Sequence, residues 1–165
     1  MILLNSFRLE TKKCQNLGNL TIEHYNKIRQ IRFESQKITT MEHLLDQYET
    51  VQLKDVNVWF KAGKTNDFLT NRGSCIKYKN KQIAVFNFTR RNEWYACQNV
   101  CPHKLEMVLS RGMTGSADDV PKIACPMHKK TFSLIDGSNL NGEEYSIATY
   151  PVKVVDGEVF VGFLE

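Results

Sequence analysis

Two short segments of this sequence each combine a cysteine, a proline and a histidine. Residues 101–103 read Cys-Pro-His and residues 125–128 read Cys-Pro-Met-His, with 21 residues between the two segments' facing ends. Thiolate and imidazole are strong metal ligands. Each proline fixes one backbone dihedral angle directly after a cysteine, which favours a stiff loop. The pattern therefore predicts a fold that brings two loops, distant in sequence, together around metal.

The side chains of Cys101, His103, Cys125 and His128 suit a 2Fe-2S cluster, because such a cluster needs two ligands on each iron. Two imidazoles in place of two thiolates leave the oxidised cluster less negative, so an electron is added more easily. Mixed centres of this kind have potentials of about −150 to +300 mV, whereas all-cysteine plant-type ferredoxins lie near about −400 mV.

Three other interpretations use the same residues. A structural zinc ion accepts two cysteines and two histidines, although zinc sites usually group the cysteines together and the histidines together. The cysteines and histidines could also be unrelated, because cysteine is common in protein cores. A catalytic Cys-His pair would need a third, orienting group, which neither loop supplies.

The charge distribution divides the chain of 165 residues. Residues 1–40 hold seven Lys or Arg against three Asp or Glu, whereas residues 41–165 hold fifteen of each. We predict an N-terminal extension over residues 1–40, helical around residues 20–33, and one domain over residues 41–165. The alternative is that translation starts at Met41 and the upstream stretch is a misassigned start.

Composition also excludes several classes of protein. The sequence has no apolar run of membrane-spanning length and no dense Lys/Arg run, which argues against membrane and nucleic-acid partners. Its five cysteines are an odd number without an export signal, which argues against a disulfide framework. We therefore predict a cytoplasmic protein that uses cysteine to bind metal.

From residue 51 onward, short β-rich runs alternate with turn signals. This pattern predicts an all-β fold, an antiparallel sandwich or small barrel with the two loops at one tip. Asp156-Gly157 is a predicted hairpin turn, and residues 112–121 are predicted to form an exposed loop. The predicted strands are Val56–Lys61, Cys75–Lys79, Ile83–Phe88, Glu93–Cys97, Lys122–Ala124, Thr131–Leu134, Ile147–Val155 and Glu158–Phe163.

Longer segments around these loops resemble the Rieske family and, within it, the small subunit of the cytoplasmic NADH-dependent nitrite reductase. They are Cys-Pro-His-Lys at 101–104, Val-Leu-Ser-Arg-Gly at 108–112, Pro-Lys-Ile-Ala-Cys-Pro-Met-His-Lys-Lys-Thr-Phe-Ser-Leu at 121–134, Asn-Gly-Glu at 141–143 and the closing segments at 150–154 and 156–161. The resemblance runs from about residue 58 to the end.

The resemblance implies a Rieske-type 2Fe-2S cluster held by Cys101, His103, Cys125 and His128. It also implies a partner, the nitrite reductase large subunit, which carries FAD, sirohaem and a 4Fe-4S cluster and reduces nitrite to ammonium. The present chain would transfer electrons or support assembly, without a substrate site of its own. The rival hypotheses are a free-standing Rieske ferredoxin that serves an oxygenase, and a zinc-stabilised binding module.

Departures from the wider Rieske pattern refine these expectations. High-potential members have an extra cysteine in each loop, where this chain has Glu106 and Met127, so no disulfide is expected. They also have a hydroxyl-bearing residue at the position of Phe132, and losing a hydrogen bond toward the cluster should lower its potential. The remaining cysteines are not expected to be ligands: Cys97 and Cys75 are predicted to be core residues, and Cys14 to have no role.

Three lysines, Lys104, Lys129 and Lys130, flank the two histidines in the sequence. They predict either a docking patch for an acidic face of a redox partner or solvated surface charge. The resemblance does not distinguish between the two.

Overall fold

The computed structural model describes the backbone of residues 22–165 and the side chains of residues 22–34 and 43–165. One α-helix, α1, spans Ile22–Asp46, so it is longer than the helix predicted around residues 20–33. A compact unit runs from His43 to Glu165. The predicted division at residue 40, the alternative start at Met41 and the position of Cys14 stay untested, and residues 1–21 lie outside the description. No helix in the described part is long and apolar enough to cross a membrane.

Twelve antiparallel strands build the compact unit, which confirms the predicted all-β fold. They form sheets with the strand orders β1-β12-β11, β10-β4-β3-β2 and β7-β8-β9, and a short pair β5-β6. The strands are β1 (Val58–Lys64), β2 (Gly73–Tyr78), β3 (Lys81–Phe88), β4 (Glu93–Gln98), β5 (Val100–Cys101), β6 (Glu106–Met107), β7 (Met113–Ala117), β8 (Val120–Ala124), β9 (Thr131–Ser133), β10 (Thr149–Tyr150), β11 (Val152–Val155) and β12 (Glu158–Phe163).

The strand β3 explains how the fold holds two hydrophobic cores. Its residues Ile83 and Val85 face a first core that includes Phe163, while Ala84 and Phe86 face a second core that includes both loop cysteines. A strand buried on both faces reads as a continuous apolar run, and residues 83–86 are Ile-Ala-Val-Phe. The second core therefore places the ends of the two loops against the rigid centre of the sheet.

Two turn predictions have opposite outcomes. Asp156 and Gly157 both have positive φ and join β11 to β12 as a two-residue hairpin, as predicted. The exposed loop predicted over residues 112–121 is wrong, because β7 and β8 form a hairpin there. Asp118 and Asp119 turn this hairpin with φ of 46° and 65°, and aspartate is among the few residues that tolerate such angles. The hairpin was not predicted because its turn contains no glycine, the residue that usually indicates a two-residue hairpin turn.

Gly137 fixes the segment that leads from β9 to β10. Its φ is +80°, and a Cβ atom at this position would lie 1.9 Å from the carbonyl oxygen of Ile147. The Ile147 N–H donates to the Gly137 carbonyl at 2.9 Å. The close approach fixes the two ends of the segment 138–146, which lies beside the second loop and from which Tyr145 packs against the second core.

Replacing Gly137 by alanine is expected to destabilise the fold more than replacing Gly142. Gly142 has a similar φ of +84° but no atom within 4 Å of a built Cβ, so Gly142→Ala carries only the left-handed strain of about 1–2 kcal/mol. Gly137→Ala adds a steric term of about 1–3 kcal/mol. Urea unfolding of the two variants measures the difference, and equal destabilisation would contradict the close approach.

Candidate metal centre

The first loop is anchored by Asn99, a buried residue two positions before Cys101. Its carbonyl accepts the N–H groups of Val108 and Leu109, each at 3.0 Å, and its side-chain oxygen accepts the N–H of Ser110 at 2.8 Å. Asn99 therefore lies just before the first loop and also binds the segment that follows the loop. Asn99 was missed by the sequence analysis, since a single asparagine carries no signal of three such bonds.

Both loops close with the same turn. The N–H of Leu105 donates to the Cys101 carbonyl at 2.8 Å, and the N–H of Lys129 donates to the Cys125 carbonyl at 2.9 Å. Leu105 and Lys129 each have a φ of 57°, the left-handed conformation. The second loop is further closed by the Cys125 N–H, which donates to the Lys130 carbonyl at 2.7 Å. Two matching turns thus direct each cysteine inward and the residues after it outward.

The four predicted ligands come together as two like pairs. Cys101 and Cys125 are only 2% and 1% exposed, belong to one core cluster, and interact closely enough that Cys125 raises the pKa of the Cys101 thiol. The imidazole rings of His103 and His128 contact each other, with ring centres 4.8 Å apart and planes at 75°. His103 is half-buried whereas His128 is exposed. Each pair therefore takes one residue from each loop: Cys101 with Cys125, and His103 with His128.

Burial favours the uncharged forms of the Cys101 thiol and the His103 imidazole. Desolvation raises the pKa of Cys101 to about 12, against the lowering effect of a hydrogen bond from the His103 backbone, and the neighbouring Cys125 raises it further. Desolvation also lowers the pKa of His103, and the nearby His128 and Lys130 lower it further. A neutral imidazole is the form that binds metal.

The donor set fits a 2Fe-2S cluster. The Nδ1 atom of His103 is buried and has no hydrogen-bond partner among the described residues, which is what a metal-binding nitrogen requires. Among the described side chains, those of residues 22–34 and 43–165, no three of His, Cys, Asp or Glu converge as they would around one metal ion. A two-iron cluster takes its ligands as two pairs, which is the arrangement of these four side chains.

Tyr145 supports the half-buried histidine, and the sequence analysis missed it. Its ring lies beside that of His103 with centres 6.3 Å apart and planes at 29°, and it also contacts Phe132. The Tyr145 hydroxyl donates to Glu143, and Glu143 forms an ion pair with Lys130. The Asn-Gly-Glu segment in the family resemblance ends at Glu143, and this was the one available signal.

Comparison with known proteins agrees with this geometry. A family model described as a Rieske-like 2Fe-2S domain matches residues 58–162. The chain belongs to this Rieske-like family. The match covers every strand from β1 to β11, all but the last residue of β12, and both loops.

Relatives of this Rieske-like chain include subunits of nitrite reductases. The small subunit of the NADH nitrite reductase of Escherichia coli K12 is 31% identical over 101 residues, which are 61% of this chain and 94% of that subunit. The large subunit of the NAD(P)H nitrite reductase of Klebsiella oxytoca is 39% identical over 82 residues. These are 50% of this chain, but the chain spans only 8% of that relative.

A solved structure gives the same assignment of the fold. The crystal structure of an NADH-dependent nitrite reductase small subunit from Mycobacterium tuberculosis superposes on this chain with a TM-score of 0.63 and 28% identity. It covers 67% of this chain and 99% of that one. The antiparallel Rieske-like fold predicted from the sequence is confirmed.

The lysines around the Rieske-like tip are not equivalent. Lys104 and Lys129 are exposed, whereas Lys130 is half-buried in its ion pair with Glu143. Met127, between the ligands of the second loop, is 55% exposed. The exposed tip therefore presents two free lysines and one apolar side chain beside His128.

The remaining described cysteines have different outcomes. Cys97 is fully buried in the second core, as predicted, and burial raises its pKa. The prediction that Cys75 is a core residue is wrong: it is exposed on β2, the outer strand of its sheet. It lies on the same face as its strand partner Ala84, but the second core does not extend over it. All four described cysteines are free, and the Cys101 strand partner is Glu106, in line with the expected lack of a loop disulfide.

Replacing Lys129 by glycine is expected to stabilise the second loop relative to Lys129→Ala. Both variants remove the charge, but only glycine adopts a φ of 57° without strain, so the difference should be about 1 kcal/mol. Urea unfolding of the metal-free variants measures it. Equal stability of the two variants would contradict the left-handed turn at Lys129.

Proposed function

We propose that this protein is a Rieske-type electron-transfer subunit. Cys101 and Cys125 would bind one iron of a 2Fe-2S cluster, and His103 and His128 would bind the other. The observation that supports this assignment is the buried thiol pair beside the imidazole pair, each pair drawn from two loops. When bound, such a cluster supplies oxidation and reduction by one electron at a time.

Different side chains of the protein would have different roles at this site. The apolar second core keeps water from the two thiols, and the Tyr145 ring covers one side of His103. His128 is exposed, so its ring edge is the contact through which a redox partner would exchange the electron. Phe132 is fully buried and has no hydroxyl to donate a hydrogen bond toward the cluster. We therefore expect a reduction potential in the lower part of the Rieske range.

The proposed partner is the large subunit of a nitrite reductase. Two observations support it: the likeness to small subunits over nearly their whole length, and a similar region within the Klebsiella large subunit itself. Reduction of nitrite to ammonium, with FAD, sirohaem and a 4Fe-4S cluster, would take place on that partner. Co-purification with a sirohaem protein is the expected result. Co-purification with an oxygenase instead would favour the ferredoxin alternative.

The ligand assignment predicts which variants lose the cluster. In dithionite-reduced protein, His103→Ala and His128→Ala should each abolish the Rieske signal in electron paramagnetic resonance, because each removes one of two ligands from an iron. Cys97→Ser should keep the signal, since Cys97 is a buried residue outside the four. Iron, sulfide and zinc are measured on the same samples.

Two results would contradict this assignment. Colourless wild-type protein that contains zinc and gives no signal would favour the zinc-stabilised module. A signal lost in Cys97→Ser, with the fold intact by circular dichroism, would show that the ligand set is different.

The two exposed lysines predict how the tip docks. Lys104→Glu combined with Lys129→Glu should slow electron exchange with the large subunit by about tenfold at low ionic strength, because like charges then oppose the encounter. The control is Lys77→Glu combined with Lys122→Glu, which makes the same charge change outside the tip. Stopped-flow absorbance measures both rates, and equal slowing by the two pairs would contradict tip docking.

A further inference from the structure

Arginine is confined to one flank of the compact unit. Residues 43–165 hold fifteen Lys or Arg and fourteen Asp or Glu, so this unit is almost neutral. Eleven of its basic residues are lysines distributed along the chain. Its four arginines, Arg72, Arg90, Arg91 and Arg111, all line two adjoining grooves. We call this pair of grooves, with their four arginines, the arginine groove.

The two parts of the arginine groove meet at a shared wall. The first part, of about 630 Å³, includes Arg72 and Arg111, and the second, of about 470 Å³, includes Arg90 and Arg91. Asn71 and Thr114 line both parts, and the Thr114 hydroxyl donates to the Asn71 carbonyl at 2.7 Å. Among the described residues, no Asp or Glu lines either part. The result is an elongated cationic surface without internal carboxylates.

Three of the four guanidinium groups remain available for a ligand. Arg91 pairs with Glu93 at 2.6 Å and donates to the Asp119 carbonyl at 2.9 Å, so its position is fixed. Arg72, Arg90 and Arg111 form no ion pair with any described side chain. Guanidinium binds carboxylate in a bidentate manner, which the ammonium of lysine cannot do. The groove therefore favours carboxylates held in a defined geometry.

The groove also offers apolar contacts and a strand edge. Leu69 and Met113 line it and are 57% and 60% exposed. Strand β7, which begins at Met113, is the outer strand of its sheet, and β8 is its single strand partner among the described residues. An unpaired edge can receive an extended peptide as an additional strand. These features suit a peptide better than a small anion.

We propose that the arginine groove binds an extended acidic segment of a partner protein. Its carboxylates would pair with Arg72, Arg90 and Arg111, and an apolar side chain of the segment would contact Leu69 or Met113. A nucleic acid is disfavoured because the unit is almost neutral and because Phe88, the one aromatic ring in the lining, is buried.

This surface lies outside the electron-exchanging tip. None of the residues that line it is one of the four predicted cluster ligands or one of the exposed tip lysines. A partner segment held here would keep the two proteins associated while the tip is free to dock and to leave. The proposal goes beyond electron transfer and does not depend on whether a cluster is bound.

The test uses the full-length, cluster-loaded protein and a fluorescein-labelled synthetic peptide of alternating glutamate and leucine. Fluorescence anisotropy should give a Kd that is about tenfold weaker for Arg72→Gln combined with Arg111→Gln. Arg72→Lys combined with Arg111→Lys keeps the charge and should still weaken binding by about threefold, because bidentate pairing is lost. Lys54→Gln combined with Lys77→Gln is the charge-matched control, because both lysines are exposed and neither lines the groove, and it should leave the Kd unchanged.

Backbone amide chemical shifts locate the peptide independently of the variants. Shifts along Met113–Ala117 and at Arg72 and Arg90 support the proposal, and Arg90→Gln alone should reduce them even if the double variant fails to fold. Shifts confined to the tip, no shifts at millimolar peptide, or an equal loss of affinity in the lysine control would overturn it. Equal competition by pyrophosphate or by a single-stranded oligonucleotide would also overturn it, since the groove would then bind any polyanion.

Discussion

The burial of two cysteine thiols in an apolar core is the constraint on which the tip of this domain depends. A thiolate is costly in such surroundings, as the raised pKa of Cys101 shows, and metal coordination is the means by which thiolates become stable there. The imidazoles sit at the boundary with solvent, where a neutral ligand is tolerated. In the proposed site the buried thiolates would be the charged ligands, and the imidazoles nearer the surface would be the neutral ones. Desolvation opposes a buried thiolate, so this order depends on the positive charge that a bound metal supplies.

The rest of the fold serves to keep two loops rigid at this boundary. Asn99 gathers both ends of the first loop, while the β8–β9 hairpin carries the second. The matching left-handed turns at Leu105 and Lys129 give the loops the same curvature although their sequences differ. Glycine is the usual residue for this conformation, and here two larger residues adopt it. The geometry of the four candidate ligands is thus set by backbone hydrogen bonds, which do not depend on metal.

Local sequence was sufficient for part of this structure. The four candidate ligands, the β-rich runs and the Asp156-Gly157 hairpin each depend on residues close together in the chain. The structure pairs the two candidate cysteines in one core cluster and the two candidate histidines in ring contact. The β7–β8 hairpin was missed because its turn uses two aspartates in place of glycine. Cys75 was predicted wrongly because period-two alternation identifies the face on which a side chain lies, but not how far the core extends over an outer strand.

Long-range support was beyond the reach of the sequence. Tyr145 lies beside His103 because Gly137 holds the intervening segment against Ile147, a contact between residues that no local pattern connects. The four arginines are a similar case, because they come from three separate segments of the chain and line the same pair of grooves. Such features arise from packing, and single-sequence reasoning has no access to packing.

The unequal exposure of the two histidines determines the side from which redox partners can approach the site. Tyr145, fixed through Glu143 and Lys130, occupies the space on one side of the site, so solvent and partners reach it from the side of His128. Fixed dipoles need not reorient when charge changes, whereas water must. Solvent reorganisation is therefore confined to a single hemisphere around the site. An electron donor and an electron acceptor would both have to approach from the side of His128. They would therefore bind this domain one after the other and not at the same time.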